Sequence, residues 1–299
     1  MAVFLVTCGA LAGLIASARS GDTVLLGTDC PALVDVRGRS APGVTVDATG
    51  RTLSNGLRWW DNAGITWRGG TIHGGTQSYA ADVRRGSSLT FDGVTFTDAK
   101  VGMVVNATKG IIVRRSTFTG LRSDGIDFTG AGDNGVAEGN VFRDFNPGKT
   151  TCVISASTTI STASSSPVVV PGQTLYGLSK AECTAKGGAW TDTYHPDAIQ
   201  SWGGWGTLTA RGNHIEGDTQ GIDTFGSGPP RRFDISDNWL RISYSNGIVN
   251  FAAAGLVTRN YVDGYGRFSA NLRVGPGVVA CGNVVAQVPD NPANRPCPR

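Results

Sequence analysis

Eight stretches of this chain can be laid over one another, each a pair of strand-like segments around a bend: ITWRGGTIHGG, LTFDGVTFTDA, IIVRRSTFTGL, GVAEGNVFRDF, LTARGNHIEGD, FDISDNWLRIS, LVTRNYVDGYG and VVACGNVVAQV. Their bend residues, Gly70, Val94, Ser116, Asn140, Asn213, Asn238, Asn260 and Asn283, are separated by 24, 22, 24, 73, 25, 22 and 23 residues. A period of this length kept over most of a chain marks a solenoid. One unit cannot bury its apolar side alone, so successive units stack as coils around one shared core. Composition agrees. Gly is 43 of 299 residues and charged residues are only 16%, against about 25% in an average globular protein. Long amphipathic helices need charged wet faces, so short strands and tight turns fit this chain better.

In the second half of the chain the bend residue becomes Asn four times over after Asn140. An Asn side chain bonds backbone groups at a tight turn and tolerates left-handed conformations, so stacked Asn residues hold the same turn coil after coil. With that ladder the chain resembles the pectate-lyase-like superfamily of right-handed parallel β-helices. The resemblance implies an all-β fold: a single-stranded β-helix with three strands and about 22–25 residues per coil, a short helical N-terminal cap and a groove along one strand column. One domain then spans residues 1–299, with caps at 1–35 and 284–299.

The interval of 73 breaks the period. It equals three coils, or one coil with about fifty extra residues. Residues 146–193 lack the strand alternation of the other coils and hold Cys152 and Cys183, so a disulfide-stapled loop inserted in one coil is the preferred reading. Long loops of this kind usually serve a site as a wall or lid. The six Cys form three sequence-local pairs, Cys8 with Cys30, Cys152 with Cys183 and Cys281 with Cys297, although fifteen pairings are formally open. No metal-binding Cys/His spacing occurs, and an oxidising, secreted or extracytoplasmic location follows, a phage virion included. The opening residues end in a signal-peptide-like ASA but lack a basic start. Leu11, Leu14, Ile15 and Ala18 have helical spacing, so this segment reads as strand, short helix and strand of the folded protein. No stretch is long and apolar enough to span a bilayer. The net charge of +3 comes without a basic run, which argues against nucleic acid and leaves an anionic partner open.

A second register carries the chemistry. Asp124 and Asp197 each lie sixteen residues before their coil's Asn, Asn140 and Asn213. The strands SDGIDFTG, HPDAIQSWG, TQGIDTFG and SNGIVNFA therefore share one column. Alternation points Ile126, Ile199, Ile222 and Ile248 inward and leaves Asp127, Gln200, Asp223 and Val249 on the outer surface. Asp124, Asp197, Gln220 and Asn246 form a second polar column at its edge. Carboxylates stacked about 4.8 Å apart repel, and a raised pKa is the expected result. For any one Asp, simple solvation is an adequate account; for the cluster, a catalytic groove is favoured. Trp202 and Trp205 suit stacking on sugar rings, with packing under the insertion as the competing role.

Two mechanisms fit. A β-eliminating lyase on a uronate polymer needs a base, a group that neutralises the carboxylate and an acid. His195 or Tyr194 could be base or acid, Asp197 assists, and Arg231 or Arg232 could hold the carboxylate. Asp124, Asp127 and Asp223 could instead collect a calcium ion. An inverting hydrolase needs two carboxylates about 6.5–9.5 Å apart, and Asp127 and Asp223, two coils apart, stand near ~10 Å by strand spacing. SDGID is similar to the Asp-Gly-Ile-Asp strand of polygalacturonases, and HPDAIQ to a reordered Asp-Pro-His-Asp motif of alginate epimerases. A secreted, monomeric lyase acting on an acidic polysaccharide is the expectation; a hydrolase, a C5 epimerase and a non-catalytic glycan-binding solenoid are the alternatives. GAGDNG, residues 130–135, reads as a turn because no helix follows it. His73 and His214 fall on other strands and read as surface residues.

Overall fold

The computed structural model describes residues 1–145, 196–224, 228–265 and 270–297, and the backbone of short segments at 151–154, 159–160, 168–169, 173–176, 184–185 and 189–191. Residues 1–145 and 196–299 form one compact unit, and residues 146–195 form a second.

The first unit is a parallel β-solenoid built on three sheets of 11, 9 and 9 strands. Each coil contributes one strand to each sheet, and neighbours in a sheet are parallel strands from successive coils. The sequence period produces this directly: residue i pairs with a residue about one repeat away, as Thr95 does with Thr117 and Met103 with Ile126. Inside the stack, equivalent apolar residues meet. Phe96, Phe118 and Phe142 stack ring on ring at 4.8 and 4.7 Å, and all three are fully buried.

The bend column forms the expected ladder. Asn140, Asn213, Asn238, Asn260 and Asn283 are buried. The Nδ2 of each of the first four donates to the Oδ1 of the next at 2.8 to 3.1 Å. The same Oδ1 atoms accept the backbone amide of the preceding Asn at 2.9 to 3.0 Å. Each rung thus satisfies turn amides that a coil alone leaves without partners.

The ends are closed as the sequence suggests. Val3–Val6 pairs parallel with Thr23–Leu26, and the helix Leu11–Ser17 lies between them in the chain. Leu11 and Ile15 enter the core, with Leu14 and Ala18 packed against it. Cys8 is bonded to Cys30 and Cys281 to Cys297, with Cα separations of 5.7 and 4.9 Å. The last short strand, Val284–Val285, pairs with Tyr261–Gly264. The third pairing falls outside the described residues, since Cys183 and the side chain of Cys152 are not among them.

Asp127 pairs directly with Gln200 and Ile126 with Ile199, so the 73-residue interval is one coil plus an insertion and not three coils. The insertion is more than a loop. Its strand Thr151–Ile154 pairs antiparallel with Gln173–Tyr176 and with Ala189–Thr191, and Thr159–Ile160 pairs with Val168–Val169. The compact unit ends at 195, two residues beyond the expected boundary at 193.

Candidate functional site

The column of interest lies on the nine-stranded sheet that runs from Val34–Arg37 to Asn271–Val274. Ile126, Ile199, Ile222 and Ile248 are fully buried in the core, which turns Asp127, Gln200, Asp223 and Val249 to the other side of the strands. A small residue precedes each of these Ile residues: Gly125, Ala198, Gly221 and Gly247. A Cβ on Gly221 would stand 1.9 Å from the Gly247 carbonyl oxygen, so the coil can turn this corner tightly only without one.

The edge column forms as well. The Asp197 amide donates to Asp124 Oδ1 at 2.9 Å, and Ser123 Oγ donates to Asp124 Oδ2 at 3.0 Å. Asp197 pairs in register with Gln220, and Asn246 donates to Gln220 Oε1. Gln200 Nε2 donates to Asp197 Oδ2 at 2.9 Å, tying the two columns together.

One expectation fails here. The carboxylates do not lie open to solvent: Asp197 and Asp223 are 0% exposed, Asp127 8% and Asp124 9%. Strand alternation decides only which side of a sheet a residue takes. It does not decide whether that side is wet.

Burial drives the electrostatics. It pushes the Asp127 carboxyl well above the usual carboxylate range, and the negative charges of Asp124 and Asp197 push it further, against Lys100. Asp223 is raised from 3.8 to about 9, first by burial and next by Asp197, with Arg273 and the nearby Thr224 amide pulling the other way. Among the described residues neither oxygen of Asp223 makes a hydrogen bond, and Asp127 Oδ1 makes none. With its value near 9, Asp223 holds its proton at neutral pH, and Asp127 is shifted in the same direction.

The sequence missed two residues of this assembly. Arg273 extends the outer column, since Asp223 pairs with Val249 and Val249 with Arg273. It also donates to Asn246 Oδ1. Counting alone does not find it, because the register shifts by one residue between Asn246 and Ile248: Asn246 pairs with Asn271 but Val249 with Arg273. Lys100 lies on the preceding coil, where its carbonyl accepts the Ser123 amide at 2.8 Å, and its charge pulls the Asp127 pKa down against the other causes. The carboxylates thus sit between two cations.

Residues 44–264 match the family model described as the right handed beta helix region. The chain belongs to that right-handed beta-helix family. No curated protein matches it. Among solved structures, this beta helix is similar to an alginate lyase from Paenibacillus sp. str. FPU-7, at 12% identity over 93% of this chain and 99% of that one, with a TM-score of 0.38. It is similar to a pectate lyase from Bacillus sp. N165 in complex with trigalacturonate, at 13% identity over 95% and 82% of the two chains, with a TM-score of 0.44. A lacto-N-biosidase from Eubacterium ramulus is similar at 9% identity over 94% and 67%, with a TM-score of 0.41. None of the three carries a reaction across to this chain.

Several expected site residues of this beta helix have other work. Trp205 is fully buried, edge-on to Phe128 at 5.0 Å, and its Nε1 donates to the Thr129 carbonyl at 3.1 Å. It is a core residue and cannot receive a sugar. Gly132, in the GAGDNG turn, is what lets it in: a Cβ there would lie 2.4 Å from the Trp205 ring. Trp202 is 47% exposed and remains available. Arg232 opens a strand of the eleven-stranded sheet and its Nε meets Asp234 at 2.8 Å, while Arg231, just before that strand, faces Asp133 at 4.0 Å. They do not extend the carboxylate columns. Among the described residues no three His, Cys, Asp or Glu come together in a way that could hold a metal ion. Asp124, Asp127 and Asp223 therefore do not form the calcium cage considered above. His195 and Tyr194 lie outside the described residues. His73 and His214 lie on the other nine-stranded sheet with exposed side chains, as expected. No helix among the described residues is long and apolar enough to cross a membrane.

Proposed function

We propose that this chain is an extracytoplasmic enzyme that cleaves a polysaccharide, with Asp223 as the general acid. The observation that carries this reading is a carboxyl group with no exposure, no hydrogen-bond partner among the described residues and a pKa near 9, set in a row of four carboxylates. A buried acid left unsatisfied costs folding free energy, and native structures keep such groups mainly where their protonation is used. At neutral pH Asp223 holds a proton that it can hand to a departing glycosidic oxygen.

Asp127 stands two strands away across Gln200, about 10 Å by strand spacing. That is near the separation of about 6.5–9.5 Å that leaves room for a water between acid and base in an inverting hydrolase. In this role Asp127 has to act in its ionised form, which the charge of Lys100 favours and burial with Asp124 and Asp197 opposes. The spacing of Asp127 and Asp223 therefore puts hydrolysis ahead of β-elimination.

Elimination has one observation in its favour. Arg273 shares the outer column with Asp223, two strands on, where it could hold a uronate carboxylate. The burial of the row sets a condition on both: the column has to be uncovered for a polymer to reach it.

The test is a panel of neutral and uronate polysaccharides, with Asp127→Asn and Asp223→Asn as controls. New reducing ends without ultraviolet absorbance support hydrolysis, and absorbance from an unsaturated product supports elimination. Activity that survives Asp223→Asn undiminished would overturn the assignment.

A further inference from the structure

The same sheet carries a second constellation nearer the N-terminus, outside the carboxylate row. Trp60 is ringed by four guanidinium groups: Arg37, Arg58, Arg84 and Arg85 lie 4.3, 5.0, 4.9 and 5.7 Å from its ring centroid. Register explains the packing. Arg37 pairs with Trp60 from the coil before and Arg84 from the coil after, so the two flank the ring on opposite sides. Cations clothe the faces of this Trp, so it is not a platform for a sugar ring. It is a spacer that fixes guanidinium groups in place.

Three carboxylates accompany the four cations. Asp35 takes Arg37 and Arg58, at 2.8 and 2.9 Å, Asp82 takes Arg84 at 2.7 Å, and Asp61 takes Arg85 at 2.8 Å. One positive charge is left over. Arg58 and Arg84 each give a single hydrogen bond to those carboxylates and keep other donors. Both line a cleft of about 270 Å³ together with Trp60, Tyr79, Ser78 and Asp82. The Trp60 Nε1 is buried without an acceptor. A cleft with spare planar donors and a surplus positive charge is built for an anionic group.

Its place on the sheet says what bears that anion. Arg58 pairs with Asp82, Asp82 with Val104 and Val104 with Asp127, so the cleft and the first catalytic carboxyl share one outward column. Three strand spacings separate them, about 14 Å along the stack. We propose that the Arg58–Arg84 cleft binds the carboxylate of an acidic sugar unit a few residues along the same glycan chain whose bond is cleaved at Asp223. The proposal rests on the glycan reading above and narrows it to polyanionic substrates.

The test is calorimetric binding of galacturonate and mannuronate oligomers, and of neutral galactose oligomers, to the full chain in the Asp223→Asn background. The expected result is that Arg58→Gln with Arg84→Gln weakens the acidic oligomers at least tenfold and leaves the neutral ones unchanged. Should the double variant unfold, Arg84→Lys keeps the charge but not the planar fork, and a severalfold loss is expected from it. Equal affinity in parent and variants, neutral oligomers bound as tightly as acidic ones, or no binding of any oligomer would each overturn the proposal. The two readings fail separately. Binding that needs Arg58 in a protein that cleaves nothing removes the catalytic assignment alone, and cleavage that needs Asp223 but ignores Arg58 and Arg84 removes the cleft alone.

Discussion

Replacing Asp223 by Asn tests the central electrostatic argument without knowledge of the substrate. The carboxyl's ordinary pKa is 3.8 and its folded value is about 9. Because the folded value is the higher one, between these limits the folded protein holds a proton that the unfolded chain has released. Stability then falls as pH rises, by about 1.4 kcal/mol per pH unit for one proton. From pH 5 to pH 8 the loss is about 4 kcal/mol, and it vanishes below about pH 4, where both states are protonated. Asn is nearly isosteric and cannot ionise, so Asp223→Asn lacks this contribution. Asp127, also raised, adds a slope of the same sign that both proteins share. Carboxylates held low by arginine partners, such as Asp61 and Asp237, titrate below the window and do not interfere. Urea denaturation at half-unit pH steps reads the difference directly. The stability gap between variant and parent is expected to widen in the variant's favour by about 4 kcal/mol across the window. A gap that stays constant within about 1 kcal/mol would show that Asp223 is ionised in the folded protein, and the general-acid assignment would go with it.

Three further outcomes follow from the packing and the site. Asn238→Ala removes the acceptor of the Asn213 amide and side chain and three donated bonds, so a loss of about 3–5 kcal/mol in denaturation is expected; under 1 kcal/mol would mean that the ladder is ornamental. Gly221→Val forces a branched side chain against the Gly247 carbonyl and Leu240, and should abolish folded protein as judged by circular dichroism and gel filtration, whereas Gly139→Ala, where nothing lies within 4 Å, should cost only its left-handed backbone strain, about 1 kcal/mol. Activity on whichever polymer proves to be the substrate should fall as pH rises through about 9, as Asp223 loses its proton; a plateau continuing to pH 10 would assign the acid elsewhere.

The site was partly legible before any coordinates. The pairing of Asp127 with Gln200 and of Gln200 with Asp223 came from counting residues back from the Asn ladder, and the pairs form as counted. Arg273 escapes the count because the register shifts by one residue between Asn246 and Ile248, which no spacing in the sequence announces. Trp205 was misplaced for a different reason. Its neighbours in sequence are glycines and polar residues, and nothing local shows that Gly132, seventy-three residues earlier, leaves a hole of its shape. Arg231 and Arg232 lie at the start of a strand of the adjoining eleven-stranded sheet, which their spacing from Asp223 does not reveal.

In a solenoid the nearest spatial neighbour of a residue lies one period away in the chain, so the spacing of bends, inward Ile residues and stacked Asn side chains already states the fold, the strand columns and the two terminal disulfides. Solvent access and ion pairing have no such period. That Asp223 is sealed from water, that Trp205 fills the core and that Arg58 and Arg84 keep donors to spare depend on everything packed around them. Only the tertiary structure decides that, because burial is set by every surrounding atom at once and not by the residue one turn above or below.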